Sequence, residues 1–316
     1  MPDPLLLAQA FAASALTAAV AVLIFGWPWR ASHRRRTSLG LMLGMGGAIA
    51  VACLLLTIRP HLPPREDRDR LLLVLLPALF VVETLAALGM RPSFVCPLRL
   101  LVAASAAPIL LYDSVYVADV AGPGTRQWTP SQAALVFIAL GAVLSALWCL
   151  LAWLVRRTES RAVPLSVALS CLGSAATVML SGYASAAGIG VALAAALTGS
   201  TLAMLVLSPR PNLNGVLALG VVGLFALLVV GRYFGELSLG HAVTLLLAPL
   251  LCWLPEMPYV NRLGSHGRDV VRVALTTVPI ALALTLAYQQ FVRDLARSAP
   301  ASIGEPSLQD YLDFGK

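Results

Sequence analysis

Residues 164–207 read PLSVALSCLGSAATVMLSGYASAAGIGVALAAALTGSTLAMLVL, and the length of this uncharged apolar stretch decides the fold. At about 1.5 Å per residue, an α-helix of this length would measure about 66 Å, roughly twice the ~30 Å hydrocarbon core of a bilayer. The stretch therefore predicts two membrane-spanning helices, joined by a turn near Gly182 and Tyr183.

The composition of the whole chain agrees with this interpretation. Of the 316 residues, 59% are hydrophobic and 12% are charged, and the mean hydropathy is +0.85. A soluble domain has about 45–50% apolar and about 25% charged residues. These values exclude a soluble globular protein, a disordered chain and a disulfide scaffold.

Apolar runs of spanning length recur along the chain. The predicted spans are residues 5–27, 39–58, 71–88, 98–117, 131–155, 164–182, 183–207, 215–231, 237–254 and 270–288. The predicted fold class is all-α, a polytopic α-helical transmembrane bundle of about ten spans with short loops. Pro77 is expected to kink the third span, because proline removes a helix hydrogen bond.

The chain is predicted to contain one transmembrane helical domain, residues 1–288, followed by a polar C-terminal tail, residues 289–316. In the tail, Leu308, Tyr311 and Leu312 follow the i, i+3, i+4 spacing of a short amphipathic helix. Such a helix would dock on the membrane surface or on a protein partner; the alternative is a frayed terminus.

The distribution of arginine predicts the orientation. Loops on one side of the ten-span arrangement hold thirteen arginines, namely Arg30, Arg34–Arg36, Arg91, Arg99, Arg156, Arg157, Arg161, Arg210, Arg262, Arg268 and Arg272. The opposite loops hold six. By the positive-inside rule the richer side is cytoplasmic, which predicts a multi-pass protein of the cell (inner) membrane with both termini outside. We interpret the positive charge as this topology signal and expect no nucleic-acid partner.

The motifs that identify common membrane enzymes and pumps are missing from the sequence. It contains no GxxxxGK[ST] phosphate-binding loop, no HExxH zinc helix and no GxSxG elbow. The five cysteines have no CxxC spacing, which argues against zinc sites and structural disulfides. We therefore predict no cofactor and no metal site, and we expect a non-enzyme more than an enzyme.

Glu83 is the main candidate functional residue. A charged group inside a span is costly and is retained mostly for function. Glu83 lies twelve residues after the predicted start of the third span, about 18 Å along a helix and somewhat past the midplane. It is predicted to couple a proton or an ion, or to act as a general acid or base. The alternatives are a neutral carboxyl group bonded to a neighbouring helix, or a carboxyl group that reaches the interface because its span is misplaced by a turn.

Four further candidates lie near the predicted membrane interface. Asp113 follows Tyr112 at the outer end of the fourth span, where it belongs to an aromatic belt or to a mouth that binds a cation or a polyol. Arg232 and Glu236 have the i, i+4 spacing of an ion pair, and His241 follows them. The histidine is either a proton shuttle or a packing residue.

Small residues recur every four positions and predict close helix packing. Gly40 and Gly44 do so in the second span, and Gly173 and Gly188 belong to similar stripes in the sixth and seventh. Such stripes let membrane helices approach closely. We predict a tight hairpin of the sixth and seventh spans.

Three functional hypotheses remain open at this point. The first is a secondary transporter or permease of a small solute, with Glu83 as the intramembrane carboxylate. The second is a membrane-embedded enzyme acting on lipid-linked substrates, with a catalytic cluster drawn from the interfacial residues. The third is a non-catalytic subunit or scaffold of a membrane complex. Transport is the favoured hypothesis.

Overall fold

The computed structural model describes residues 4–26, 33–119, 126–158, 160–207, 213–257 and 264–298. Within these ranges there is no strand, and ten helices are long and apolar enough to cross a membrane. The protein is therefore an all-α helical bundle and a multi-pass membrane protein, as the sequence predicts.

The helices are numbered here in chain order. They are α1 (Pro4–Gly26), α2 (His33–Leu55), α3 (Asp67–Ala87), α4 (Pro92–Leu111), α5 (Pro130–Thr158), α6 (Ala162–Leu180), α7 (Ala184–Leu207), α8 (Asn214–Tyr233), α9 (Leu239–Glu256) and α10 (Ser265–Ser298). The second half of α9, Ala248–Glu256, is a 3₁₀ helix.

The centre of the bundle is α8, which is buried along almost its whole length. It packs against α6, α7 and α5. The peripheral helices expose large apolar side chains, including Leu16 in α1, Leu135 in α5 and Val278 in α10. A bundle that is apolar both inside and outside is the expected arrangement where the surroundings are lipid tails, because these are as apolar as leucine.

The stripe of small residues in α2 faces α1. A Cβ atom at Gly44 would lie 3.1 Å from the carbonyl oxygen of Ala18, and one at Gly40 would lie 2.3 Å from Phe25 Cβ. These contacts leave no room for a side chain, so both glycines let the two helices pack at short distance.

Two glycines of α7 approach different neighbours: Gly188, which belongs to the predicted stripe, and Gly199, which does not. A Cβ atom at Gly188 would lie 3.0 Å from Ile58 Cδ1, in the segment that follows α2. Just before its C-terminal third, α7 crosses α1. A Cβ atom at Gly199 would lie 2.1 Å from the carbonyl oxygen of Ala15. At Gly199 the obstacle is backbone, which cannot rotate away.

The helices α6 and α7 pack side by side as an antiparallel hairpin. Their turn contains Gly182 at φ +88°, a left-handed conformation that glycine adopts without steric cost. On the outer face of the hairpin, a Cβ atom at Gly173 would lie 2.4 Å from Ile280 Cγ2 of α10. The small residues of α6 therefore also make room for the last helix.

Pro77 changes the hydrogen-bonding pattern of α3. The five residues before Leu76, Leu71–Leu75, form a π-helical turn, and the α-helix resumes at Leu76. Proline has no N–H group and its ring collides with the carbonyl four residues earlier, so a wider turn just ahead of it relieves the conflict. The irregularity expected at Pro77 thus takes the form of a π-turn.

Several predicted spans have different bounds in the structure, and the fourth and the last differ most. The fourth was placed at residues 98–117, but α4 runs from Pro92 to Leu111, because Pro92 occupies the first turn, where a missing N–H costs nothing. The last helix continues to Ser298, ten residues beyond its predicted end at Tyr288. The amphipathic helix proposed around Leu308 lies outside the described residues.

Candidate functional site

A cavity of about 760 Å³ opens at one end of the bundle, and we call it the Glu83 cavity. Its walls come from the starts of α2, α4 and α8 and from the ends of α3 and α5. Its lining includes Glu83, Met90, Cys96, Arg99, Trp148, Cys149, Trp153 and Arg156. Since consecutive helices alternate in direction, this is the end that carries the arginine-rich loops.

A buried ion pair forms part of the cavity wall. Arg99 Nε donates to Glu83 Oε1 at 2.7 Å, and Arg99 Nη2 donates to Glu83 Oε2 at 2.5 Å. The Glu83 side chain is 3% exposed and that of Arg99 is 18% exposed. Two parallel charge-assisted hydrogen bonds are the strongest way in which these two groups can pair.

Glu83 lies close to the end of its helix. Because α3 runs from Asp67 to Ala87, it begins four residues before the predicted span, and Glu83 lies one turn before its last residue. Arg99 lies seven residues into α4, about 10 Å along the helix axis. The pair therefore lies in the wall of an open cavity, near one end of the bundle.

The remaining cavity wall is mostly apolar and aromatic. Trp148 is buried, and its ring lies 5.8 Å from the Arg99 guanidinium carbon, within the range of a cation–π contact. Trp153 and Met90 contribute further apolar surface. Among the residues that the structure describes, the charged members of the lining are Glu83, Arg99 and Arg156, whose formal charges sum to +1.

Arg99 is the candidate site residue that the sequence prediction leaves out. The sequence prediction begins the fourth span at residue 98, six residues too late, and therefore counts Arg99 among the loop arginines. Two signals point to it: Pro92 is a favourable helix start, and a carboxylate inside a span requires a partner of opposite charge.

The opposite end of α3 is fastened by a second group of polar residues. Tyr183 Oη donates to Asp67 Oδ1 at 2.5 Å, which ties α3 to the α6–α7 turn. Arg70 Nη1 donates to the carbonyl of Tyr112 at the end of α4, and Arg70 Nη2 donates to the carbonyl of Arg65 at 3.0 Å. Asp67 and Arg70 are both buried, so these contacts close that end of the helix against its neighbours.

Burial raises the pKa of the Tyr183 hydroxyl above its ordinary value of 10.0, and the hydrogen bond to the Asp67 carboxylate raises it further. A raised pKa in the folded state means that Tyr183 contributes stability that is complete below pH 10 and is lost as the pH rises through the folded-state pKa. Stability should therefore fall in strongly alkaline solution.

We expect Tyr183→Phe to lower the free energy of unfolding at neutral pH by about 1–3 kcal/mol, because a buried carboxylate oxygen loses its donor. The same variant should show a weaker decline of stability above pH 10 than the wild type. Thermal unfolding of both proteins in detergent from pH 7 to pH 11 measures both effects. Parallel pH curves for the two proteins would contradict this assignment.

Asp113 and Arg232 lie at the end of the bundle opposite to the Glu83 cavity. Asp113 has φ +57°, is largely exposed, and has its Oδ2 atom 4.0 Å from Arg70 Nη2. Arg232 Nη1 donates to the carbonyl of Leu237 at 3.4 Å. The Arg232–Glu236 ion pair does not occur among the described ion pairs, because α8 ends at Tyr233 and the two residues do not share a helical turn.

Glu236 and His241 line a separate cavity of about 450 Å³ at this same end. His241 Nδ1 lies 2.7 Å from Ser238 Oγ, and Ser238 Oγ also accepts from the backbone N–H of His241 at 3.3 Å. Ser238 is the N-cap of α9, so both contacts belong to a helix cap. The structure thus divides the predicted site residues between two ends of the bundle and does not bring Glu83 together with Arg232, Glu236 or His241.

A second buried arginine lies at the arginine-rich end. Arg272 of α10 pairs with Glu256 at the end of α9 and with Asp269, whose Oδ1 is 2.7 Å from Arg272 Nη1. Ser160 Oγ donates to the same Asp269 oxygen at 2.7 Å. This network ties α9, α10 and the α5–α6 connection together and lies outside the Glu83 cavity.

Comparison with protein-family models, with curated proteins and with solved structures finds no match to the chain. In the part of the chain that the structure describes, no group of three or more His, Cys, Asp or Glu residues is arranged to hold a metal ion. The geometry of the cavities is therefore the basis for proposing a function.

Proposed function

We propose that the protein is a secondary transporter of a small solute and that the Glu83 cavity is its binding chamber. The observation that carries this proposal is the bidentate Glu83–Arg99 pair in the wall of an open cavity inside the helix bundle. The proposal includes a location in the cell membrane, with the arginine-rich end facing the cytoplasm.

The size and lining of the cavity support solute binding. Small-molecule sites measure about 300–1,000 Å³ and combine a mostly apolar wall with a few placed polar groups. The Glu83 cavity has about 760 Å³ and fits both criteria. Its opening at one end, combined with the Asp67–Tyr183 and Arg70–Tyr112 contacts at the other end of α3, is the arrangement of a carrier open to one side.

In this proposal the Glu83–Arg99 pair is the element that changes during transport. The pair joins α3 to α4, and the Trp148 contact extends the connection to α5. A solute that competes for either charge weakens the link between these helices, and a change in packing follows if the solute binds one arrangement better than the other. Glu83 keeps its proposed role as the coupling carboxylate.

The other two hypotheses receive less support. A membrane enzyme needs a cluster of catalytic groups, but Asp113 faces Arg70, and the His241–Ser238 contact is explained by helix capping. The scaffold hypothesis depends in part on the C-terminal tail, residues 289–316, of which residues 299–316 lie outside the described part of the chain.

Two native cysteines provide a test of transport without knowledge of the solute. Cys96 and Cys149 line the Glu83 cavity, whereas Cys53, Cys171 and Cys252 are buried. A variant that retains only Cys96 is treated with a charged, membrane-impermeant maleimide in right-side-out and inside-out vesicles. Because a carrier alternates between two openings, we expect Cys96 to react from both faces, faster from the arginine-rich face.

Two further single-cysteine variants calibrate the measurement. Arg91→Cys lies in the exposed α3–α4 connection at the arginine-rich end, and Leu62→Cys lies in the exposed segment before α3 at the other end. Each should react from one face only, and from opposite faces. If Cys96 reacts only from the face that labels Arg91→Cys, alternating access is absent and the transport proposal fails.

A further inference from the structure

We propose that the solute of the Glu83 cavity is a small organic acid, whose carboxylate binds the Arg99 guanidinium in place of Glu83. This inference rests on the transport function proposed above and names its substrate class. It draws on the geometry of the ion pair, the charge of the cavity and the nature of the cavity wall.

The geometry of the pair shows which ligand group fits Arg99. The Nε and Nη2 atoms of its guanidinium hold the two oxygens of a carboxylate at 2.7 and 2.5 Å. A planar guanidinium edge matches a carboxylate in this bidentate way and holds it in one orientation. The Glu83 carboxylate therefore occupies a site on Arg99 that has the geometry to bind the carboxylate of a ligand.

The charge of the cavity favours an anion over a cation. With Glu83 and Arg99 cancelling each other, the charge that remains among the described lining residues is that of Arg156. Arg156 is exposed at the end of α5. A positive charge at the mouth of a low-dielectric cleft raises the local concentration of anions.

The wall of the cavity favours an organic body attached to that carboxylate. Trp148, Trp153 and Met90 offer apolar and aromatic surface beside Arg99. An inorganic anion has no apolar group that could pack against this surface. The combination of one guanidinium fork with an apolar wall indicates a small acid with an apolar or aromatic body.

The inference is tested with three probes of nearly equal size that differ in charge: benzoate, benzyl alcohol and benzylamine. Inorganic phosphate serves as an anion without an apolar body. Each probe is added to the full-length protein that retains only Cys96, and the rate of labelling by neutral N-ethylmaleimide is measured. Cys96 lies one turn before Arg99 on α4, so a ligand on Arg99 shields it.

We expect benzoate to slow the labelling of Cys96, with much weaker effects of the other three probes. Arg99→Gln should weaken benzoate protection by about 10- to 100-fold, the range of a lost charge-assisted hydrogen bond. Glu83→Gln should strengthen it by about tenfold or more, because the competing carboxylate is gone. Each variant is compared with itself in the absence of probe, which cancels any change in the intrinsic reactivity of the thiol.

Two control variants keep the test independent of folding. Glu83→Gln with Arg99→Gln preserves a neutral hydrogen-bonded pair and the shape of the cavity, and this double variant should fold yet lose benzoate protection. Arg91→Gln removes an arginine at the same end that does not line the cavity, and its protection should equal that of the parent.

Several outcomes overturn the inference. These are equal protection by benzylamine or benzyl alcohol, protection by none of the anions, and undiminished benzoate protection in Arg99→Gln. If Cys96 alternates between the two faces but benzoate does not protect it, the substrate class is wrong while the transport function stands. If benzoate protects Cys96 but labelling comes from one face only, the anion site stands and transport is wrong.

Discussion

Glu83→Leu is expected to lower the free energy of unfolding by about 3–5 kcal/mol, the usual cost of removing one partner of a buried ion pair. The substitution leaves the Arg99 guanidinium largely buried beside Trp148, without the two carboxylate oxygens that it contacts at 2.7 and 2.5 Å. Thermal or SDS-induced unfolding of the purified protein in detergent measures the effect.

The matched comparison is Glu83→Met combined with Arg99→Met. Replacing both charges by apolar side chains of similar volume removes the pair without leaving an unpaired charge, and such replacements are often neutral or stabilising. The double variant should therefore be more stable than Glu83→Leu. Glu236→Gln, at an exposed carboxylate, should change stability little. A stability of Glu83→Leu equal to that of the wild type would show that the ion pair does not hold α3 to α4.

Gly199→Ala is expected to destabilise the bundle by about 1–3 kcal/mol or more, the usual range for overpacking. The added Cβ atom would lie 2.1 Å from the carbonyl oxygen of Ala15 and 2.8 Å from its carbonyl carbon. Because these atoms are backbone, α1 and α7 can accommodate the methyl group only by moving apart. The same unfolding measurement in detergent detects the loss.

The control for this prediction is Gly240→Ala, the same chemical change in another helix. No atom lies within 4 Å of a Cβ placed at Gly240, in the first turn of α9. Since alanine favours helix more than glycine by up to about 1 kcal/mol, this variant should be neutral or slightly stabilised. Equal stability of the two variants would mean that α1 and α7 do not meet closely at Gly199.

The candidate site was predictable from the sequence only in part. Glu83 stands out because an acidic residue within an apolar helix is costly wherever its neighbours lie. Its partner Arg99 did not stand out, because an arginine near a predicted span boundary has the same appearance as a loop charge. The six-residue shift in the start of α4, from residue 98 to Pro92, moves Arg99 from the edge of the predicted span to a position seven residues inside the helix, beside Glu83.

The interfacial residues illustrate the opposite error. Arg232 and Glu236 have a helical spacing in the sequence, but the helix ends at Tyr233, so the spacing has no structural meaning there. His241 is a candidate in the sequence because it is a histidine within a predicted span. In the structure its contacts with Ser238 belong to the start of a helix. Spacing predicts a contact only where the helix is continuous.

The amino-acid sequence was sufficient to predict an all-α membrane protein with about ten spans. That property is local, because each span depends on the apolar length of one segment measured against the thickness of a bilayer. Tertiary structure alone decided that Glu83 faces Arg99, that the two line a cavity with Trp148, and that His241 lies at the other end of the bundle. These relations depend on how separate helices pack and where each begins, and the apolar pattern of any one segment carries no information about its neighbours.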